Sequence, residues 1–193
     1  AILKVGICMS TGFVLVYSRS YADVRGLWKG EFFALMLFGV VGMMVMTASN
    51  HLLSLYVGLE LLALCLYTLV ALRIDSTAAS EAAMKYFVLG ALASGILLYG
   101  MSLLYGLTGT LYLSELSESI ARHDGSMLPR TMALILVLIG LLFKMGAVPF
   151  HMWVPDVYEG SPTSSTVYLA TAPKLAGFAI MLRLLADGLE SLT

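Results

Sequence analysis

The chain has 193 residues, of which 60% are hydrophobic and only 12% are charged, whereas a soluble domain carries about a quarter charged residues. This composition excludes an ordinary soluble domain and indicates a membrane protein. Eleven basic and twelve acidic residues leave a net charge of −1. Because no basic surplus is available to neutralise phosphates, nucleic acid is not expected as a partner.

Several apolar segments are long enough to cross a lipid bilayer, which takes about 20 residues of helix. We therefore predict an all-α, polytopic membrane helix bundle of about six transmembrane helices, one of them discontinuous. The predicted spans are 1–18, 32–49, 52–72, 83–107, 131–158 with an interruption, and 162–185. Between the fourth and fifth spans, TLYLSELSESIAR places Leu113, Leu116 and Ile120 on one helix face, which predicts a helix along the membrane surface.

The sequence predicts one membrane domain over residues 1–193. It begins without Met on an apolar run and shows no signal-peptide pattern, so we expect a fragment of a longer chain. Cys8 and Cys65 lie in apolar runs without metal or redox spacing, and are interpreted as packing residues. No motif for a nucleotide, metal or iron–sulfur cluster is present.

Three charged residues lie deep inside predicted spans. Glu60 is eight residues from the start of its span, Lys174 is near the middle, and Lys144 follows thirteen uncharged residues. An unpaired ion in hydrocarbon costs several kcal/mol, and such residues usually face the bundle interior and mark ion paths. A Glu and a Lys in contact can exchange between an ion pair and a neutral pair, which is the elementary step of a proton relay.

Lys85 allows two interpretations. It stands near the start of its span, four residues after Glu81. That spacing suits an ordinary ion pair at a helix end, while its position in the span also suits an ion path.

The helix that carries Lys144 is predicted to loosen between Lys144 and Pro149. Gly146 has a low helix propensity, and Pro149 lacks an N–H and clashes with the carbonyl four residues earlier. Irregular backbone at membrane depth is typical of ion sites in transporters, and the alternative is a proline kink that only improves packing. His151, two residues after the proline, is either a group that exchanges protons at neutral pH or a core histidine bonded to a carbonyl.

Four stretches of the sequence resemble the proton-translocating, antiporter-like membrane subunits of respiratory complex I. They are SLYVGLELLALCLYTLVAL around Glu60, AAMKYFVLGALASGILLYG around Lys85, LLFKMGAVPFHMWVPDVYEG around Lys144 and YLATAPKLAGFAIMLRLL around Lys174. The resemblance implies that Glu60 and Lys144 form the Lys/Glu pair, that Lys85 modulates it, and that Lys174 is the next station of the relay.

The resemblance also implies a place within a longer fold. Family members have about fourteen helices with two inverted five-helix repeats. Residues 1–18 then correspond to an early helix and residues 31–187 to the first repeat, while the second repeat is missing.

The function that the resemblance implies is proton translocation in an NADH:quinone oxidoreductase, a translocase of the bacterial inner (plasma) membrane. The expected partners are the lipid bilayer and other membrane subunits of the complex. NADH, FMN, iron–sulfur clusters and quinone would bind partner subunits, and none would bind this chain. Two alternatives stay open at this point: a freestanding or multisubunit cation/proton antiporter of the same fold, and a purely structural membrane subunit.

Overall fold

The fold is a bundle of α-helices. The computed structural model describes residues 2–122 and 127–186, and this part contains nine helices and no strand beyond one antiparallel bridge between His51 and Tyr112. The helices are α1 (Ile2–Val24), α2 (Gly30–Ala48), α3 (Leu52–Val70), α4 (Thr77–Thr108), α5 (Leu113–Arg122), α6 (Met127–Met145), α7 (Val154–Gly160), α8 (Thr163–Ala170) and α9 (Ala172–Ala186).

Within the described part of the chain, six helical segments are long and apolar enough to cross a membrane: α1, α2, α3, α4, α6 and the consecutive pair α8–α9. The predicted all-α bundle with about six membrane helices is confirmed. The predicted interruption of the fifth span is also present, because α6 ends at Met145 and α7 begins only at Val154.

Several predicted spans are too short, two of them by six residues at one end. Helix α1 continues to Val24, six residues past the predicted end, and α4 begins at Thr77 instead of residue 83. The Ser76 hydroxyl caps α4 by accepting a hydrogen bond of 3.3 Å from the amide of Ala79. A helix can continue through polar residues where water or lipid headgroups solvate them. A run of hydrophobic residues therefore marks only the part of the helix inside the hydrocarbon, and the helix itself is longer.

The sixth span is wrong in one respect, since it was predicted to be continuous. Its helix breaks at Thr171, whose backbone leaves the helical region at φ −116° and ψ −93°, and this divides the span into α8 and α9. Pro173 explains the break: a proline has no N–H to donate and clashes with the carbonyl four residues earlier, here that of Leu169. The fifth and sixth spans, which are consecutive in the sequence, are therefore both interrupted.

Helix α5 has the predicted amphipathic form. Leu113, Leu116 and Ile120 are buried at 0–2% exposure, which confirms that they share one face. The segment before α5 is held to the start of α3, where the amide of Leu52 donates to Leu111 O over 2.8 Å and the amide of Leu113 donates to Asn50 O over 3.0 Å.

The most extensive helix contacts are those of α2 with α3 and of α4 with α6. At the α2–α3 crossing the backbones touch at two glycines. A Cβ at Gly42 would lie 2.6 Å from the carbonyl oxygen of Gly58, and a Cβ at Gly58 would lie 2.8 Å from Gly42 O. Small residues permit this approach, which membrane helices use for close packing.

Replacing Gly42 by Ala should destabilise the bundle by about 1–3 kcal/mol, because the added methyl group meets backbone that cannot move aside. The measurement is thermal unfolding of the purified protein in detergent. Gly95→Ala is the matched control, because position 95 on α4 has no heavy atom within 4 Å of an added Cβ. Equal stability of the two variants would contradict the close crossing.

Candidate functional site

The bundle brings together a glutamate and a lysine that are 84 residues apart in sequence. Glu60 lies in the middle of α3 and Lys144 lies in the last turn of α6. The Lys144 Nζ is 3.4 Å from Glu60 Oε1, and the two side chains keep only 13% and 25% of their exposure. They form a largely enclosed ion pair between two membrane helices.

Two further side chains complete the surroundings of this pair. The Ser94 hydroxyl of α4 donates to Glu60 Oε1 over 2.5 Å. The Tyr67 hydroxyl of α3 accepts a hydrogen bond of 3.4 Å from Lys144 Nζ. The carboxylate and the amine thus each have a second polar partner inside the apolar bundle.

The break after Lys144 is an abrupt helix end and not a gradual loosening. Gly146 adopts the left-handed conformation at φ 67°. Its amide donates to Phe143 O and the amide of Ala147 donates to Leu142 O, both over 2.9 Å. This is the Schellman arrangement of a glycine C-cap. Gly146 therefore ends the helix, and Pro149 follows beyond it.

The side chain of Lys174 is hydrogen-bonded to the C-terminal end of α6. Its Nζ donates to Met145 O over 2.6 Å and lies 5.0 Å from the centre of the Trp153 ring. Trp153 is 2% exposed and donates through Nε1 to Phe143 O over 3.0 Å. Carbonyls that lose their helical partners at the break thus gain side-chain donors. Because Lys174 is in the first turn of α9, both helix breaks contribute to this contact.

Aromatic rings lie between the two lysines. Tyr67 contacts Tyr86 edge to face at a centroid distance of 4.7 Å, and Tyr86 stacks on Trp153 at 4.5 Å. Lys144 contacts the first ring of this series and Lys174 contacts the last. A cavity of about 40 Å³ lies beside them; its wall is mostly apolar and includes Lys144, Tyr86, Met145 and Pro173.

Lys85 and His151 lie apart from this centre. Lys85 forms ion pairs with Glu81 at 2.9 Å and with Asp156 at 3.0 Å, and its side chain is 44% exposed. His151 is exposed in the segment between α6 and α7. Within the described residues, neither side chain forms a hydrogen bond or ion pair with Glu60 or Lys144.

Sequence reasoning missed four residues around the site: Tyr67, Ser94, Trp153 and Asp156. For Tyr67 a signal was available, because it follows Glu60 by seven residues and therefore lies on the same face of the helix. Ser94 lies in an apolar segment, where a hydroxyl is easily read as a packing residue. Trp153 and Asp156 owe their positions to the helix break, which sequence spacing does not determine.

No described group of three or more His, Cys, Asp or Glu side chains could hold a metal ion. The residues that the fold brings together are an acid, two amines and hydroxyls. A multi-pass bundle that encloses such groups beside interrupted helices is an arrangement typical of ion sites in membrane transporters.

Comparison with known proteins identifies the family. Residues 49–191 match the family described as NADH:quinone oxidoreductase/Mrp antiporter, TM. The chain belongs to this family, which confirms the resemblance seen in the sequence.

Relatives with similar sequences are subunits of NADH-quinone oxidoreductase. The chain is 57% identical over 192 residues to subunit N from Thiobacillus denitrificans, covering 98% of the chain and 39% of that protein. It is 58% identical to subunit N from Thioalkalivibrio sulfidiphilus, covering 99% of the chain and 40% of that protein. The chain therefore spans about two fifths of the length of these relatives.

Solved structures show the same fold. A chain of respiratory complex I from Thermus thermophilus matches with a TM-score of 0.77 and 37% identity, covering 94% of this chain and 39% of that chain. A chain of the Mrp complex from Dietzia sp. matches with a TM-score of 0.81 and 25% identity, covering 98% of this chain and 36% of that chain.

Gly146→Ala should lower the stability of the protein by about 1–2 kcal/mol, because a Cβ strains the left-handed backbone. The added atom would also lie 3.1 Å from Lys174 Nζ. Thermal unfolding in detergent measures the effect against Gly106→Ala, which has open space on α4. If the two variants unfold alike, α6 does not end in a left-handed glycine.

Proposed function

We propose that the chain is the proton-translocating part of a membrane subunit of an NADH:quinone oxidoreductase, in which protons pass through the Glu60–Lys144 pair. The observation that carries this proposal is the 3.4 Å contact of the two side chains inside the bundle, in the last turn before a helix break. The family and the subunit N relatives support it.

The chemistry follows from the position of the pair. In a medium of low dielectric, each charge is stable mainly because of the other. A proton added to Glu60 removes the attraction that holds the Lys144 ammonium, and Lys144 then releases its own proton more readily. The adjacent break and cavity give water a place to accept that proton.

The other ionisable groups are proposed as parts of the same relay. Lys174, which contacts Met145 O and the Trp153 ring, is the next station after Lys144. Lys85 modulates the pair from the edge of the bundle, where Asp156 links it to α7. His151 is the exposed titratable residue closest in sequence to the end of α6, and it exchanges protons with the surroundings.

The energy for this transport comes from outside the chain. Moving a charge against the membrane potential requires about 2.3 kcal/mol per 100 mV. We propose that electron transfer from NADH to quinone in partner subunits supplies it, with FMN and iron–sulfur clusters bound there. In this proposal the chain is a multi-pass protein of the bacterial inner membrane, packed against other membrane subunits, and residues 31–187 are the first of two repeats.

A cation/proton antiporter is the second candidate, and the similarity to the Mrp complex favours it. Purification of the intact protein from its native membrane separates the two. Co-purification with redox subunits, detected by NADH oxidation and mass spectrometry, is the expected result. Recovery of the protein without any redox subunit would contradict our proposal and favour an antiporter.

Lys144→Met should reduce the rate of proton translocation at least about tenfold, since it removes the proton-carrying amine and keeps a side chain of similar length. The measurement uses vesicles with the assembled complex, a pH-sensitive dye and NADH. Lys29→Met, in the exposed segment between α1 and α2, is the control and should pump normally. Normal pumping by an assembled Lys144→Met complex would show that the chain has a structural role only.

A further inference from the structure

The amine of Lys144 lies at the same distance from two different oxygens. One is Oε1 of Glu60 and the other is the hydroxyl of Tyr67, each at 3.4 Å. The first oxygen belongs to a carboxyl group that gains and loses a proton in the proposed function. The second belongs to a neutral phenol. An ammonium carries three donors, so it can contact both oxygens at once or move its main contact from one to the other.

Both oxygens are held in place independently of the lysine. Ser94 donates to Glu60 Oε1 from α4. Tyr67 of α3 is only 7% exposed. Its ring is held by edge-to-face contacts with Tyr86 and Phe87, which lie on α4 like Ser94. The lysine side chain is therefore the movable member between two fixed acceptors.

Gly90 makes room for the phenol. An added Cβ at this position would overlap the Tyr67 hydroxyl oxygen and would lie 2.7 Å from the ring carbon that bears it. Tyr86, Gly90 and Ser94 follow one another at intervals of four residues and so share one face of α4. That face packs against the Tyr67 ring, provides space for the Tyr67 hydroxyl and holds the Glu60 carboxylate.

Resting on the function proposed above, we propose that Tyr67 is the second partner that holds the Lys144 ammonium while Glu60 is protonated. Without it, the ammonium would be left unpaired in a medium of low dielectric, which is costly. The phenol oxygen accepts one hydrogen bond from the ammonium, whose Nζ is 3.4 Å away. Tyr67 keeps its own proton throughout. Glu60 takes a proton from water, and Lys144 later gives one to water.

The first test is Tyr67→Phe in the full-length protein within the assembled complex. This change removes the hydroxyl and keeps the ring with its packing. One hydrogen bond to a charged group should be lost, and the rate of proton translocation should fall about fivefold. Tyr99→Phe is the matched control, because Tyr99 is 55% exposed on the same helix as Gly90, and its rate should be unchanged.

The second test moves the hydroxyl without removing it. Gly90→Ala should displace the phenol from Lys144 and reduce pumping as Tyr67→Phe does, while Gly95→Ala, with open space around it, should not. In the double variant Tyr67→Phe, Gly90→Ala, the loss should be much smaller than the product of the two single losses, because both changes remove the same contact. Losses that multiply would overturn the proposal.

A pH profile separates a role at the amine from a packing defect. The titratable groups around the phenol are Tyr56 and Glu60 of α3, Tyr86 of α4 and Lys144 of α6. Loss of the hydroxyl disfavours the protonated amine, so the pH profile of pumping should move to lower pH by about 0.7 of a unit, which corresponds to a fivefold effect. A profile lowered evenly at every pH would overturn the role of Tyr67.

The comparison with Lys144→Met shows which proposal fails. If Lys144→Met abolishes pumping and Tyr67→Phe pumps at the normal rate, the role of Tyr67 is refuted and the function of the pair stands. If Lys144→Met itself pumps normally, the function of the pair is refuted and the role of Tyr67 with it.

Discussion

The contact between Glu60 and Lys144 is the interaction on which the other features of the site depend. Neither charge is stable alone among membrane helices, so the fold must bring the two together and then limit how tightly they bind. The 3.4 Å separation, with Ser94 on the acid and Tyr67 on the amine, satisfies both requirements. Each charge has a partner, and neither depends on a single short contact. A pair held in this way can be opened by one proton, which is what a relay requires.

The two helix breaks connect this pair to the next amine. An unbroken α6 would keep its carbonyls in helical hydrogen bonds, whereas its glycine C-cap leaves Met145 O available to Lys174. The break at Thr171 lets α9 start where its first turn delivers Lys174 to that carbonyl. Trp153, which follows the first break, donates a hydrogen bond to Phe143 O in the last turn of α6. Backbone irregularity inside the membrane is therefore paired with specific side-chain donors, as the lack of water there demands.

Much of this arrangement could be predicted from the sequence, for a simple physical reason. The lengths of the apolar segments determine the number of membrane spans. The unfavourable free energy of burying a charge identifies Glu60, Lys144 and Lys174 as unusual without knowledge of the fold. The contacts could not be predicted, because they depend on which helix faces are adjacent. Thus Lys85 proved to contact Asp156 across 71 residues, and His151 proved to be exposed. The break at Thr171 could have been predicted from Pro173, which cannot continue a regular helix.

The chain is similar both to a subunit of NADH-quinone oxidoreductase and to a chain of an Mrp complex. The proposed relay requires that Glu60 changes its protonation state during transport. Time-resolved infrared spectroscopy of the full-length protein in its assembled complex tests this directly. After NADH is added, a carboxylic acid C=O band should appear and decay, and it should be absent in Glu60→Gln, which no longer pumps. An identical band in a Glu60→Gln complex that still pumps would contradict a protonation change of Glu60 during transport.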